Sequence, residues 1–574
     1  MHVLASKLGY AWSTLDHPSI ASEERSVKLM VAKVPEIPFP EIFFGFVAPI
    51  GADVKRCVGD FKKCFEELDY RVIEIKATDV FESLKSHVRP TVDLDKSTQL
   101  KRYDTYINYG NQLRREFDDN AVLAALAIGK ISRNRSEDLK RFKKDKDTKF
   151  IPGEKTVYLI HQFKRQEELT LLRSVYGRLF FQVSLYSRRG TRVDNLANLF
   201  ASDNGTANIN EFRSEAERII QVDQDEKDED YGQKVSKIFS DGDLIISADT
   251  QKPTMYDQIK RFVDLLFGSN SISPNKNEYG MFVAKAAALR TLDLSRQVGA
   301  AIFSPEGEII SIGSNEVPKG HGGTYWCDDT FDDREYLRLQ DSNDKRKREI
   351  LSEIAGIIGM KTDDMLAIKE IKDSQFMDAL EYGRIVHAEM SAISDAARLG
   401  RSAKGSSLYC TAFPCHMCAK HIVASGVEKV VFLEPYPKSL VSKLHSDSIA
   451  VEGSDRGKYK SFPAAEFEHF YGISPRRYGE LFERGKRKND DGSFKPWTRT
   501  IPRPGLNVTT QYYLNDEIKI SADVIGQYMR LKSLPADFLD AKSPARSHNP
   551  TTGKTRPRVR AKARTKAQPK TKAL

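Results

Sequence analysis

Two short motifs in the second half of the chain carry the side chains of a metal centre. The first is His-Ala-Glu at residues 387–389, and the second is Pro-Cys-His-Met-Cys at residues 414–418. One imidazole and two thiolates leave one position of tetrahedral zinc open for water, which is typical of a catalytic rather than a closed structural site. The sequence therefore predicts Zn²⁺ as the cofactor, held by His387, Cys415 and Cys418.

Glu389 lies two residues beyond His387, close enough to reach a zinc-bound water without being a ligand itself. Zinc lowers the pKa of such a water towards neutrality, and a neighbouring carboxylate can carry protons between that water and a substrate. Glu389 is therefore the predicted catalytic residue. The alternative is a structural zinc site whose fourth ligand would be His416 or His421. The order of the two motifs, and the helix that each of them starts, favour the catalytic interpretation.

The elements around these motifs form an α/β pattern, which we assign to a second domain over residues 277–535. A helix over EYGMFVAKAAALRTLDLS precedes a hairpin of VGAAIFSP and GEIISIGSN. Helical patterns cover roughly residues 331–356 and 361–381, and another begins at His387 and stops at Gly400. SLYCTA predicts a strand, CHMCAKHIVASG a helix and EKVVFLEP a further strand.

Residues 35–270 predict a first domain with a parallel sheet. The apolar runs EIFFGFV, YRVIEIKA, KTVYLIHQF, GRLFFQVSLYS and DGDLIISA alternate with helical patterns such as VKRCVGDFKKCFEEL and QEELTLLRSVY. The charged segments 136–149 and 224–231 are expected on solvated faces or in loops. The predicted fold class of the whole chain is thus α/β.

A glycine loop follows the first strand of this domain, from Gly45 to Gly51. Strand, glycine loop and helix are the context of a P-loop nucleotide kinase, which predicts a P-loop kinase-like domain. However, the gap between the glycines is one residue too long, and only an offset Lys55 could replace the missing phosphate-binding lysine. We therefore expect a degenerate nucleotide-binding or sensing site at Gly45, Gly51 and Lys55, with a structural or partner-docking role as the alternative.

Length and composition indicate the number of domains and the cellular compartment. The 574 residues favour two or three domains, and no apolar stretch approaches the roughly 20 residues of a membrane span. The lack of a secretory pattern at the amino terminus, and six cysteines of which two are tightly spaced, predict a cytoplasmic protein without a membrane partner.

The basic charge of the chain is concentrated in a tail. Residues 541–574 hold eleven Lys or Arg and no Asp or Glu, so the net charge of +10 falls to about −1 for residues 1–540. This tail is expected to be disordered. It either binds RNA, DNA or another anionic partner, or serves as a solubilising or localising extension.

The metal motifs and their surroundings resemble the cytidine and deoxycytidylate deaminase family over about residues 277–480. The hairpin SRQVGAAIFSPEGEIISIGSNEVP adds to the two motifs that carry this resemblance. A wider resemblance, to bacterial anti-phage dCTP deaminases with a P-loop-like first domain, rests on FFGFVAPIGADV, LLRSVYGRLFFQVSLYS, LSRQVGAAIF, VHAEMSAI, PCHMCAKHIVASGV, EPYPKSLVSKLHSDSI and FYGISPRRY. It implies a cytidine deaminase-like three-layer α/β/α second domain that converts dCTP to dUTP and so starves phage DNA synthesis.

The family resemblance also implies roles for single residues. Glu389 would pass one proton to N3 of cytosine and a second to the amino group, so that ammonia leaves. Asn315 would contact the sugar, with Glu316 and Ala388 beside it, although a role in the turn alone remains open for Asn315.

Several further side chains are candidates for the substrate phosphates or for a second metal. The candidate cations follow the metal motifs, and they are either phosphate ligands or solvated like most surface Lys and Arg. They are Lys438, Lys443, His445, Arg476 and Arg477. Trp326 and Cys327 lie in the insertion between Asn315 and His387. Cys327 is either a ligand of a second zinc or, as we expect, a buried thiol.

Other functions compete with dCTP deamination. The runner-up is dCMP deamination. A DNA or RNA deaminase would share the metal motif but needs a cationic groove on the folded domain, which the near-neutral body disfavours. A non-catalytic binding module is disfavoured by the intact metal motifs. The expected partners are a free deoxycytidine nucleotide and further copies of the chain, with a regulatory nucleotide, RNA or phage factor as the candidate trigger.

Overall fold

The computed structural model describes residues 36–144, 153–226, 229–435, 439–497, 503–506 and 508–533. Their twelve strands form two six-stranded sheets. The strands are β1 (Ile42–Val47), β2 (Arg71–Lys76), β3 (Thr156–His161), β4 (Phe180–Tyr186), β5 (Leu244–Ser247), β6 (Gly299–Phe303), β7 (Ile309–Ser314), β8 (Ser407–Ala412), β9 (Lys429–Glu434), β10 (Ile449–Val451), β11 (Ala465–His469) and β12 (Gly472–Ile473).

Helices cover the faces of both sheets. They are α1 (Val54–Glu66), α2 (Phe81–Leu84), α3 (Gln99–Phe117), α4 (Val122–Lys144), α5 (Gln166–Tyr176), α6 (Arg189–Asp203), α7 (Arg213–Gln224), α8 (Val235–Ile238), α9 (Met255–Leu266), α10 (Lys276–Ala288), α11 (Glu335–Arg338), α12 (Ser342–Ile358), α13 (Thr362–Ala367), α14 (Lys369–Lys372), α15 (Ala388–Arg398), α16 (His416–Ala424), α17 (Val441–Leu444), α18 (Tyr478–Phe482) and α19 (Tyr513–Ser533). Within the described ranges, none of these helices is both long and apolar enough to cross a bilayer.

The first sheet has the strand order β12-β5-β4-β1-β3-β2. Strands β1 to β5 pair in parallel, and β12 joins antiparallel at the edge. Strands β1, β3 and β5 are buried along their whole length, as expected for continuous apolar runs covered by helices on both faces. The predicted parallel α/β domain is confirmed, whereas its P-loop kinase-like character remains a prediction.

Two long helices, α3 and α4, separate β2 from β3. The charged segment 136–149 is expected on a solvated face or in a loop. Residues 136–143 lie in the last turns of α4 and are mostly exposed, which agrees with a solvated face, and residues 145–152 lie outside the described residues. The acidic segment 224–231 is largely a loop, which Glu229 ties to Arg115 of α3 through an ion pair.

The second sheet has the strand order β10-β11-β9-β8-β6-β7 and is covered by helices on both faces. Helix α10 packs on one face, and α15 packs on the other. Two glycines permit this close packing, since a Cβ at Gly299 would lie 2.0 Å from the carbonyl oxygen of Ala284, and one at Gly313 would lie 2.2 Å from that of Ala388. The predicted three-layer α/β/α arrangement is therefore present in the second domain.

The segment after the second sheet returns to the first sheet. Ile473 pairs with Leu244, and α19 packs along α4. Arg135 of α4 forms ion pairs with Glu41 at 2.7 Å and with Glu517 of α19. The predicted second domain covers residues 277–535, but residues 472–497, 503–506 and 508–533 pack on the first domain, because apolar side chains such as Ile473 complete the core of the first sheet.

Candidate active site

The two metal motifs start two neighbouring helices. His387 is the residue that precedes α15, and Cys415 is the residue that precedes α16, with Cys418 in the first turn. The sulfur of Cys415 accepts the backbone N–H of Cys418 at 3.4 Å, so it caps the helix. Because the positive ends of two helix dipoles point at the same place, thiolates are favoured there.

The three predicted ligands come together in space. Nδ1 of His387 lies 3.3 Å from Sγ of Cys415 and 3.3 Å from Sγ of Cys418, and the three atoms all lie within 4.8 Å of one another. Zn–S bonds of 2.3 Å and Zn–N bonds of 2.0–2.1 Å at tetrahedral angles place N and S about 3.5 Å apart. The residues therefore fit a zinc ion, and the cluster can hold Zn²⁺ as the sequence predicts.

The alternative of a closed structural site needs a fourth ligand. Among the His, Cys, Asp and Glu residues that the structure describes, the cluster contains three members and neither His416 nor His421 is one of them. The arrangement therefore matches the open, catalytic type of zinc site. Cys327 is exposed rather than buried, so the expectation of a buried thiol is wrong. It also lies outside any ligand cluster found in the described ranges.

Contacts within the cluster favour a thiolate at Cys415 and a proton on His387. A hydrogen bond from Cys418, followed by one from His387, lowers the pKa of Cys415 to about 4. The hydrogen bond to Cys415 correspondingly raises the pKa of His387 to about 9. Since a metal ligand must be deprotonated, zinc binding releases this proton.

Glu389 is buried, with 4 % of its surface exposed, in the first turn of α15. Burial is the largest influence on its carboxyl and raises its pKa, while the charge of His387 and a hydrogen bond from the Cys410 thiol oppose that shift. A carboxyl whose pKa is raised towards neutrality can both take and give a proton, as a general acid-base residue must.

A cavity of about 330 Å³ opens above the cluster. His387, Ala388, Glu389, Cys415 and Asn315 line it, so the structure brings these predicted site residues together. This volume falls within the range typical of small-ligand pockets.

Asn315 is held firmly in the wall of this cavity. Its Oδ1 accepts the backbone N–H of Val298 at 2.8 Å, and its Nδ2 donates to the carbonyl oxygen of Arg296 at 2.7 Å and to the carboxylate of Asp293. Both amide hydrogens are thus used within the protein. Only the second lone pair of Oδ1 is available to a ligand, so the sugar contact remains a prediction.

Glu316 does not reach the cavity. Its carboxylate accepts the backbone N–H groups of Leu292 at 3.0 Å and of Val317 at 2.9 Å, and it lies 3.6 Å from the guanidinium of Arg334. The expectation of a substrate contact is therefore wrong, because this carboxylate satisfies buried backbone donors of the neighbouring loop.

The five predicted phosphate ligands are dispersed. Lys443 and His445 lie on or beside α17, and neither lines the cavity. Arg477 is buried, donates to the carbonyl oxygen of Phe180 at 2.6 Å and contacts Asp243 at 3.3 Å, so it is a structural residue. Arg476 lines a neighbouring cavity, and Lys438 lies outside the described residues.

Several residues of the cavity wall are not among the site residues predicted from the sequence. Asp293 and Arg296 line it from the loop before β6, and Asn343 and Lys347 line it from α12 of the insertion. The four-residue spacing of Asn343 and Lys347 places both on one helix face, which is a usable signal. Trp326 of the same insertion is half exposed and stacks 3.5 Å from Arg290, away from the zinc cluster.

The glycine loop of the first domain is filled by the protein itself. Gly51 has φ +88°, and a Cβ there would lie 2.7 Å from the carbonyl oxygen of Arg192. The buried carboxylate of Asp223 accepts the backbone N–H of Ile50, while Lys55 is exposed on α1. Lys164 neutralises Asp223 at 2.6 Å and donates to the carbonyl oxygen of Ala48 in the loop at 3.0 Å. Nucleotide binding at Gly45, Gly51 and Lys55 remains a prediction.

The second domain matches a family model and is similar in sequence to several known proteins. The family model "Cytidine and deoxycytidylate deaminase zinc-binding region" matches residues 274–434. The mouse protein named deoxycytidylate deaminase is 30% identical over 156 residues, which cover 27% of this chain and 63% of the mouse protein. The deoxycytidylate deaminase of enterobacteria phage T4 is 35% identical over 149 residues, which cover 25% of this chain and 70% of the phage protein.

A solved structure, the dCMP deaminase of cyanophage S-TIM5 in apo form, aligns with 35% of this chain and 100% of its own, at 20% identity and a TM-score of 0.19. The matched residues span 63% of the mouse relative, less than two thirds of its length. Most of the first domain lies before the matched region, which begins at residue 274.

Proposed function

This chain belongs to the cytidine and deoxycytidylate deaminase family, and we propose that it hydrolytically deaminates the cytosine of a free deoxycytidine nucleotide. The observation that carries the proposal is the position of Glu389, buried in the cavity wall beside His387 and Cys415. A proton-transferring carboxyl next to an open metal site supports hydrolysis at a ring carbon.

Each residue then has a defined task. His387, Cys415 and Cys418 would hold zinc, which supplies an activated water when bound. Glu389 takes a proton from the attacking water and delivers it to N3 of the ring, which makes C4 electrophilic. The water oxygen bonds to C4, and Glu389 then takes the second proton from the new hydroxyl and delivers it to the amino group. The C4–N bond breaks, ammonia leaves and a carbonyl remains at C4. The reaction consumes one water and yields a uracil nucleotide.

We propose dCTP as the substrate, with dUTP as the product. The sequence segments shared with bacterial anti-phage dCTP deaminases, in both halves of the chain, support this choice. Loss of dCTP would starve viral DNA synthesis, so we propose an anti-phage role for the reaction. The second candidate is dCMP, which is favoured by the names of the mouse and phage T4 relatives.

Product analysis would test the proposal directly. The zinc-loaded full chain is mixed in parallel with dCTP, dCMP, CTP, deoxycytidine and a cytosine-bearing oligonucleotide, and ammonia and uracil products are measured. We expect fastest turnover of dCTP. Preference for dCMP would support the second candidate. Release of ammonia from none of these compounds, or from the oligonucleotide alone, would refute the proposed function.

A further inference from the structure

A second cavity, of about 350 Å³, adjoins the candidate active site. The two cavities share Arg296, Val298 and Ala412 as lining residues, so they meet at this wall. The second cavity lies between the two domains, because Ser240–Gly242, immediately before β5 of the first sheet, form part of its lining. A ligand that extends out of the active site past Arg296 would therefore enter a space walled by the first domain.

Three cations line this second cavity, namely Lys285 in the last turn of α10, Arg296 and Arg476, together with the two carboxylates Asp241 and Glu434. Arg296 pairs with Glu434 at 3.1 Å. Over the described ranges, neither Lys285 nor Arg476 has an ion-pair partner or a side-chain hydrogen bond. Unpaired Lys and Arg at the wall of a cavity are the groups that bind phosphate oxygens.

The backbone fixes the position of Arg476. Strand β12 pairs with β5, and the N–H of Ser474 donates to the carbonyl oxygen of Asp243 at 3.1 Å. The next residue, Arg477, is anchored in the first domain by the carbonyl oxygen of Phe180 and by Asp243. Consequently the backbone of Arg476 is held at the cavity by its neighbours on both sides.

The α12 side of the active-site cavity is unfavourable for phosphate. It carries the carboxylates Asp341 and Asp344. Its lysine, Lys347, already pairs with Asp344 at 2.8 Å and donates to the carbonyl oxygen of Met377 at 2.8 Å. Among the described cations that line the two cavities, Lys285 and Arg476 lack an ion-pair partner, so a polyphosphate is favoured on their side.

We propose that the cavity between the two domains is the polyphosphate subsite of the enzyme, in which Lys285 and Arg476 bind the outer phosphates of a deoxycytidine triphosphate. This inference rests on the proposed function and extends it. The first domain would take part in substrate selection even though it need not bind a nucleotide in its own glycine loop. A monophosphate would end near Arg296, whereas a triphosphate would reach both outer cations.

The test compares two double variants of the zinc-loaded full chain. Lys285→Ala/Arg476→Ala removes the two outer cations. Lys404→Ala/Lys458→Ala removes the same charge from exposed positions that line neither cavity. We expect the first variant to raise KM for dCTP by at least about tenfold, since it removes two charged hydrogen bonds to the outer phosphates. We expect kcat to stay within about twofold and KM for deoxycytidine to stay unchanged, because neither depends on phosphate contacts. The control should match the wild type.

A binding measurement separates this inference from the proposed function. Inorganic tripolyphosphate is titrated calorimetrically into the wild type and into both double variants. Weaker binding by the Lys285→Ala/Arg476→Ala variant alone would support the subsite even if no cytosine compound were deaminated. Equal binding by all three proteins, absence of binding by the wild type, or an unchanged KM for dCTP would overturn it.

Discussion

The carboxylate of Asp223 accepts the backbone N–H of Ile50 at 2.8 Å, inside the glycine loop of the first domain. The same carboxylate pairs with Lys164 at 2.6 Å and is completely buried. Lys164 also donates to the carbonyl oxygen of Ala48 at 3.0 Å, so this ion pair ties α7 and the segment after β3 to the loop that follows β1.

Asp223→Ala should lower the free energy of unfolding by about 3–5 kcal/mol, because it leaves the buried charge of Lys164 without a partner. Urea denaturation of the full chain would measure this change. Asp225 lies two residues further along the chain, is half-buried and has no described ion pair. Asp225→Ala removes the same charge and should lower the free energy of unfolding by less than about 0.5 kcal/mol. Equal effects of the two substitutions would contradict the assigned role of Asp223.

Glu389→Gln should retain zinc and lose turnover by at least about 100-fold, since a positioned acid-base group contributes roughly 10²–10⁴ in rate. Metal analysis and an ammonia-release assay with dCTP and dCMP would measure both quantities. Glu466→Gln, at an exposed position of β11, is the matched control and should behave as wild type. Near-normal turnover by Glu389→Gln would rule out proton transfer by this residue.

Cys418→Ala should weaken zinc binding by at least about 100-fold, because changes outside the ligand set already cost up to that much. Equilibrium titration with a zinc-sensitive chelating dye would give the affinity. Cys327→Ala alters an exposed cysteine that lies outside the cluster, and it should bind zinc as the wild type does. Zinc retention by Cys418→Ala would show that the metal is held elsewhere.

Because of His469, the folded protein should be less stable at mildly acidic pH than at neutral pH. It is buried between Tyr186 and Phe432, and burial lowers its pKa to about 4. Between this value and the ordinary pKa of 6.5, the unfolded chain binds more protons than the folded one, so stability rises with pH across that window and is lost as pH falls. For this residue the loss from pH 7 to pH 5 amounts to about 2 kcal/mol.

Denaturant unfolding at pH 7 and pH 5 would measure that loss. His469→Phe should reduce the difference between the two pH values by about 2 kcal/mol, because the titrating group is gone. His421→Phe, at an exposed position of α16, should leave the difference unchanged. An unaltered pH dependence in His469→Phe would show that this histidine is not the group responsible.

A chain that ends at residue 540 should deaminate free nucleotides as well as the full chain does. The basic tail carries eleven cations but lies outside the predicted deaminase domain. Steady-state kinetics with dCTP at low and high salt would compare the two proteins. A large loss of turnover with the shortened chain would place the tail in the catalytic unit.

The sequence predicts the metal centre well because its geometry is local. His387 and Glu389 are two residues apart at one helix start, and Cys415 and Cys418 are one turn apart at another, so each half needs only its own helix to form. Residue type and spacing then determine the chemistry.

Contacts between distant segments are harder to predict. Nothing in the local sequence of Glu316 reveals that Arg334 and two backbone amides will bind its carboxylate. Likewise, the two neighbouring arginines Arg476 and Arg477 are indistinguishable in sequence, and only the pairing of β12 with β5 makes one structural and leaves the other at a cavity.

The return of the chain to the first sheet has a consequence for biosynthesis. Glu41 and Arg135 leave the ribosome early, yet Glu517 and Tyr513, which complete their buried cluster, are made only near the end. The buried cluster around Arg135 can therefore be completed only after the second sheet has been synthesised. Until α19 is made, the apolar side chains that it covers on α4 lack this partner.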